Sequence, residues 1–165
     1  MNPQIQTYIT HFNLQPHPEG GWYAETYRST DSTNQLPEGF TGPRNFSTAI
    51  YFLMPGNSFS AFHRIKSDEL WHFYDGDMLE VFVIDEQGIL QVIRLGRDAA
   101  NGEGFQATVR AGLWFASRCS VTEGFSLVGC TVSPGFNFQD FELANRTELL
   151  QQYPQHSQCI NELIR

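Results

Sequence analysis

The stretch Gly56-Asn57-Ser58-Phe59-Ser60-Ala61-Phe62-His63-Arg64-Ile65-Lys66-Ser67-Asp68-Glu69-Leu70-Trp71-His72-Phe73-Tyr74-Asp75-Gly76 decides the fold. Successive side chains on a strand point to opposite faces. A strand over residues 59–65 therefore sets Phe59, Ala61, His63 and Ile65 on one face, and Ser58, Ser60, Phe62 and Arg64 on the other. His63 then stands in an apolar row that faces a barrel interior. Glu69 follows six residues later at the head of a second strand, which Gly76 closes. If that strand is unbulged, Glu69, Trp71 and Phe73 share one face and Leu70, His72 and Tyr74 the other. A bulge near Leu70 would bring His72 round to Glu69.

Outward from this stretch the same texture continues. Short apolar runs at 22–29, 47–54, 79–84, 90–95, 105–109, 113–117 and 125–132 are separated by turn formers such as Pro55-Gly56, Asp75-Gly76-Asp77, Asp85-Glu86-Gln87-Gly88 and Asn101-Gly102-Glu103-Gly104. Many short strands with no helices between them predict an antiparallel sandwich or barrel, not a parallel sheet with crossover helices. A short helix precedes them: Asn2 can cap it, Pro3 suits its first position, and Ile5, Tyr8, Ile9 and Phe12 recur at helical spacing. The run Leu14-Gln15-Pro16-His17-Pro18-Glu19-Gly20-Gly21 is too rich in Pro and Gly for regular structure, and residues 30–44 read as a long loop. After Phe141 the pattern turns helical, with Leu143, Leu149 and Leu150 as core positions, a break at Tyr153-Pro154, and then Ile160, Leu163 and Ile164.

Composition narrows the function. The chain has 165 residues, one domain's length, with 17% charged and 14% aromatic residues, so it is built to fold compactly. A net charge of -8 and a single lysine, Lys66, argue against nucleic acid, whose readers concentrate basic residues on one face. No apolar run approaches the ~20 residues of a membrane span, and Met1 to Thr10 carries no secretory signal. Cys119, Cys130 and Cys159 have no paired spacing and read as reduced thiols of a cytoplasmic protein.

The spacing of His63, Glu69 and Gly76 resembles the first motif of the cupin superfamily, with Ile65 where a second His belongs. Arg110-Ala111-Gly112-Leu113-Trp114-Phe115 resembles the second motif, with Arg110 in place of Pro and Phe115 in place of the third His. A resemblance to one family, cupin_5 or DUF985, spans nearly the whole chain. It is carried by Pro18-Glu19-Gly20-Gly21-Trp22-Tyr23-Ala24-Glu25-Thr26-Tyr27-Arg28-Ser29, by Ser47-Thr48-Ala49-Ile50-Tyr51-Phe52-Leu53, by Phe62-His63-Arg64 with Ser67-Asp68-Glu69-Leu70-Trp71-His72-Phe73-Tyr74, and by Pro134-Gly135-Phe136-Asn137-Phe138-Gln139-Asp140-Phe141-Glu142-Leu143-Ala144. The resemblance implies a mostly β double-stranded β-helix, the RmlC-like jelly roll, with an N-terminal helix and one or two C-terminal helices. It also implies a homodimer and a barrel pocket for a small molecule.

A cupin metal is usually held by three His and one Glu. Here Ile65 and Phe115 cannot donate, so no metal or other cofactor is expected; a metal, if bound, would have to use His63, Glu69 and His72. The expected reactive pair is His63 as base with Glu69 orienting it. Tyr74, Tyr23 or Tyr51 could supply an opposing acid. Glu25 shares a strand face with Tyr23 and Tyr27, an apolar setting that makes it either a pocket acid or the partner of Arg28 or Arg44. Three readings follow: a metal-free isomerase, epimerase or dehydratase of a small polar molecule; a non-catalytic binding module; and a metal-dependent cupin enzyme.

Overall fold

The computed structural model describes residues 2–165. Helix α1 (Pro3–His11) is followed by strands β1 (Gln15–Pro16), β2 (Trp22–Arg28), β3 (Ser32–Thr33), β4 (Arg44–Asn45), β5 (Thr48–Pro55), β6 (Phe59–Arg64) and β7 (Asp68–Gly76). Then come β8 (Leu79–Ile84), β9 (Leu90–Leu95), β10 (Gln106–Val109), β11 (Trp114–Cys119), β12 (Phe125–Ser133), β13 (Glu142–Leu143), α2 (Arg146–Gln152) and α3 (Ser157–Glu162). One six-stranded sheet runs β1-β2-β5-β12-β7-β10 and one five-stranded sheet runs β13-β6-β11-β8-β9. Every strand pair within them is antiparallel. This is the double-stranded β-helix that the resemblance implies.

The sequence builds three apolar layers. Phe52, Trp71, Phe73 and Val128 of the larger sheet meet Leu79, Val81, Val83 and Phe115 of the smaller one, which makes the inter-sheet core. On the outer face of the smaller sheet, Phe62, Phe82, Ile84 and Trp114 are covered by Leu149, Ile160, Leu163 and Ile164 of the C-terminal segment. On the outer face of the larger sheet, Leu53, Phe125 and Leu127 take Ile5 of α1. The central strands β5 and β8 are thus buried on both faces, which is why they read as near-continuous apolar runs.

Asn2 caps α1 by accepting from the Gln4 N–H, with Pro3 behind it. Three local readings are corrected. Gln15 and Pro16 do pair with β2, and residues 30–44 hold a two-residue ribbon between β3 and β4, because main-chain pairing outweighs the turn-forming composition. Leu143 is not core: it lies 43% exposed on β13, and the helical pattern starts only at Arg146. All three cysteines are free thiols. Among the described residues no helix is long and apolar enough to cross a membrane.

Candidate active site

Three β-bulges shape the interior, and each overrides strict alternation by one residue. On β6, His63 pairs with Phe115 while Ser60 pairs with Ser117, so three steps on β6 match two on β11. Ser60 and His63 therefore share the inner face, and Phe59 and Phe62 turn outward onto the helical layer. On β2, Glu25 opposes Ile50 and Tyr27 opposes Ala49, with Thr26 as the extra residue. Arg28 is thereby brought to the same side as Tyr23 and Glu25, and Tyr27 is left 54% exposed. On β7 the extra residue is Tyr74, between Phe73 opposite Val128 and Asp75 opposite Leu127.

The third bulge lies beyond His72, so His72 stays on the face away from Glu69. Its ring nitrogens meet Thr131 Oγ1 at 3.2 Å and the Gln106 amide at 3.0 Å. Tyr74 also lies outside, 48% exposed, packed on Gly129 so closely that a Cβ there would come within 2.3 Å of its hydroxyl. The expectation that His72 and Tyr74 serve the interior is therefore corrected. Tyr51 likewise packs outward, against Phe12 of the N-terminal segment.

The interior holds a cavity of about 500 Å³ that His63, Glu69, Glu25 and Tyr23 all line. His63 and Glu69 are buried, whereas the Glu25 carboxylate is 41% exposed and engaged bidentately by Arg28, so of its two alternatives it is the partner of Arg28 and not a buried pocket acid. The partner of His63 is not Glu69 but Glu19, a residue that spacing alone did not single out. Glu19 Oε2 lies 3.0 Å from His63 Nε2, and Glu19 Oε1 accepts from Ser60 Oγ at 2.8 Å.

Main-chain geometry explains how a loop carboxylate reaches a buried strand. The Ala61 N–H, freed by the β6 bulge, donates to the Glu19 carbonyl at 2.9 Å. Gly20 beside it adopts φ +115° and passes so near β6 that a Cβ would stand 2.1 Å from the Phe59 carbonyl oxygen. Only glycine permits both the conformation and the approach.

The other ring nitrogen of His63 lies 2.7 Å from the Ala61 carbonyl. Both acceptors need a donor, so both nitrogens carry hydrogen and the ring is an imidazolium. Burial works against that charge, yet the Glu19 carboxylate, the Ala61 carbonyl and Glu69 outweigh it and raise the His63 pKa. Burial likewise opposes the Glu19 carboxylate, but His63, His17 and Ser60 hold its pKa below the usual value. With both nitrogens committed, His63 is not the free base expected from sequence.

Glu69 is the uncommitted carboxyl. Burial, reinforced by the Glu19 charge and opposed by His63 and the Cys130 thiol, pushes its pKa up to about 7. His17 also lines the cavity; burial lowers its pKa against the pull of Glu19, and its Nδ1 stands 3.4 Å from the Glu19 N–H and 3.5 Å from Glu19 Oε2. It stands edge-on to Tyr23 at 4.6 Å and within 6.1 Å of Phe138 and Phe141, which with Phe136 form an aromatic wall. That wall is tied down by Arg28, which donates to the Phe136 carbonyl, and by a buried bidentate pair between Arg44 and Asp140. The indole N–H of Trp71, a buried lining residue, has no partner among the described residues.

Residues 6–144 match the family model Cupin_5, described as cupin superfamily (DUF985), and the chain belongs to that family. The uncharacterised protein YML079W of Saccharomyces cerevisiae is 31% identical over 147 residues, covering 82% of this chain and 73% of the yeast protein. Protein SO0799 of Shewanella oneidensis superimposes with a TM-score of 0.87 at 41% identity, covering 97% of this chain and 96% of that one. A hypothetical protein from Leishmania major gives 0.89 at 36% identity, covering 96% of this chain and 97% of that one. Bacillus subtilis oxalate decarboxylase shares the fold alone, with a TM-score of 0.55 at 15% identity over 90% of this chain and 36% of its own.

That decarboxylase has Mn(II) centres. The donors here do not suit one. Among the described residues no three His, Cys, Asp or Glu side chains converge to hold a metal ion. Ile65 and Phe115 fill two motif positions, the Phe115 ring packing 4.0 Å from the imidazole of His63, whose nitrogens are both engaged.

Proposed function

We propose that this member of the Cupin_5 family binds a small organic molecule in the cavity between its sheets and moves a proton on it, with Glu69 as general acid–base. The reaction class is that of an isomerase, epimerase or dehydratase acting without a metal. One observation carries this reading: a buried carboxyl on the cavity whose pKa of about 7 lets it both accept and return a proton at neutral pH. The His63–Glu19 pair is a positioning and electrostatic device. Its imidazolium stabilises the Glu69 anion, while burial and Glu19 stop that carboxyl from ionising too readily. Aromatic rings around a few polar groups are the usual makeup of a small-molecule site. Tyr23 lines the same cavity and is the candidate for an acid on the substrate's other side.

The test uses solvent deuterium, which reports proton abstraction whatever the product is. Small polar metabolites are incubated with the protein in D2O and followed by proton NMR. The expected result is exchange at one carbon of one compound, lost in Glu69→Gln while the fold is retained. Undiminished exchange in that variant contradicts the mechanism. A compound that stabilises the protein and never exchanges points instead to a binding module.

A further inference from the structure

We propose that the ligand of this cavity is an organic cation, an ammonium or amidinium group carried on an apolar or aromatic body, held among the ring faces with Glu69 as its counter-ion. The inference rests on the cavity being a ligand site and adds the ligand's charge.

It follows from which polar groups of the cavity are already spent. A guanidinium has five N–H donors, and Arg28 uses all of them. Nε and one terminal nitrogen take the two oxygens of Glu25 at 3.0 and 2.7 Å. The remaining donors reach Asn45 Oδ1 at 2.9 Å and the Phe136 carbonyl, twice, at 3.2 Å. His63 spends one nitrogen on Ala61 and the other on Glu19. No charged donor lining the cavity is left for a phosphate or a carboxylate, and either would enter beside Glu19, Glu25 and Glu69. The Trp71 indole, a buried lining donor without a partner among the described residues, is neutral.

The free capacity is of the opposite sign. Among the described residues no Lys, Arg or His lies within ion-pair distance of Glu69. The groups that face it are His63 from β6, Glu19 from the turn before β2 and Cys130 from β12. Tyr23, Phe136, Phe138 and Phe141 line the cavity, and the negative quadrupole of an aromatic ring attracts a cation. The net charge of -8 adds attraction at long range.

Three probes of similar size and different charge test this by calorimetry on the full chain: benzylammonium, benzyl alcohol and benzoate. At about pH 8, where a carboxyl titrating near 7 is ionised, benzylammonium should bind about tenfold or more tighter than benzyl alcohol, with benzoate weakest. Glu69→Gln should erase the preference for the cation over the alcohol. Glu25→Gln, which removes a negative charge from the cavity and frees one donor of Arg28, should raise affinity for benzoate, a gain that misfolding cannot mimic. Equal binding of all three, tightest binding of benzoate, or binding of none overturns the inference. Proton exchange lost in Glu69→Gln on a neutral or anionic compound would uphold the acid–base reading and remove the cation.

Discussion

Glu19 and His63 come from two segments of unlike character, a Pro- and Gly-flanked turn and a central strand, and meet as a buried ion pair with 3.0 Å between Oε2 and Nε2. The contact depends on the β6 bulge, which leaves the Ala61 N–H free for the Glu19 carbonyl. It also decides the chemistry: by committing His63 it leaves Glu69 as the group that titrates in the cavity.

Removing one member of such a pair strands the other charge in a low dielectric. Glu19→Gln should destabilise the protein by about 3–5 kcal/mol, measured as a shift in the urea midpoint with an unchanged slope. The His63 pKa should fall in the same variant, because the Glu19 carboxylate is the main group raising it. An unchanged imidazole titration would mean that the pair does not set the His63 charge.

Glu69 should make stability fall as pH rises. Its folded pKa, about 7, lies above the ordinary 4.5, so the folded state holds a proton that the unfolded state has lost. The contribution is fully present below about pH 4.5 and is gone once pH passes about 7, a difference of roughly 3 kcal/mol at most. His63, also raised, loses its contribution as pH climbs through its folded pKa, whereas Glu19, lowered, loses its own as pH falls. Glu69→Gln should therefore be more stable than the parent above neutrality, with the advantage shrinking in mild acid. Denaturant curves across that range decide it.

Gly20 tolerates no side chain. Gly20→Ala would press a Cβ against the Phe59 carbonyl at a φ of +115°. The expected cost is at least about 2 kcal/mol, accompanied by a lowered His63 pKa as Glu19 is pushed off its partner. Gly39→Ala meets no neighbouring atom within 4 Å at a similarly positive φ, so it serves as the control for backbone strain alone.

The aromatic wall depends on Arg44. Arg44→Ala leaves the Asp140 carboxylate buried without its bidentate partner and should cost about 3–5 kcal/mol. Phe138 and Phe141 flank Asp140, so ligand affinity should fall as well, measured with whichever benzyl probe binds the parent.

The fold was legible because period-two alternation and turn signals agree along most of the chain, and the His63–Glu69–Gly76 spacing resembles a cupin motif. What escaped alternation were the bulges at Ala61–Phe62, Thr26 and Tyr74. A bulge inserts one residue for reasons of register with a partner strand, which a single strand's pattern does not contain. Hence alternation sets Ser60 on the face opposite His63 and keeps Tyr27 on the face of Tyr23 and Glu25, and the bulges reverse both. His72 stayed outward as an unbulged strand requires, because the bulge fell beyond it and not near Leu70. Glu19 was missed because its partner lies 44 positions on, in His63. Its one local signal was a carboxylate held between Pro18 and two glycines, Gly20 and Gly21, where a backbone is shaped for close approach.

Carbon-13 NMR of the Glu69 side-chain carboxyl measures directly whether it changes charge near neutrality. Glutamate carboxyls are labelled, the Glu69 resonance is assigned by its absence in Glu69→Gln, and pH is swept from acid to mild base. The expected midpoint is about 7. A midpoint near the ordinary 4.5 would contradict it and leave the cavity without its acid–base group.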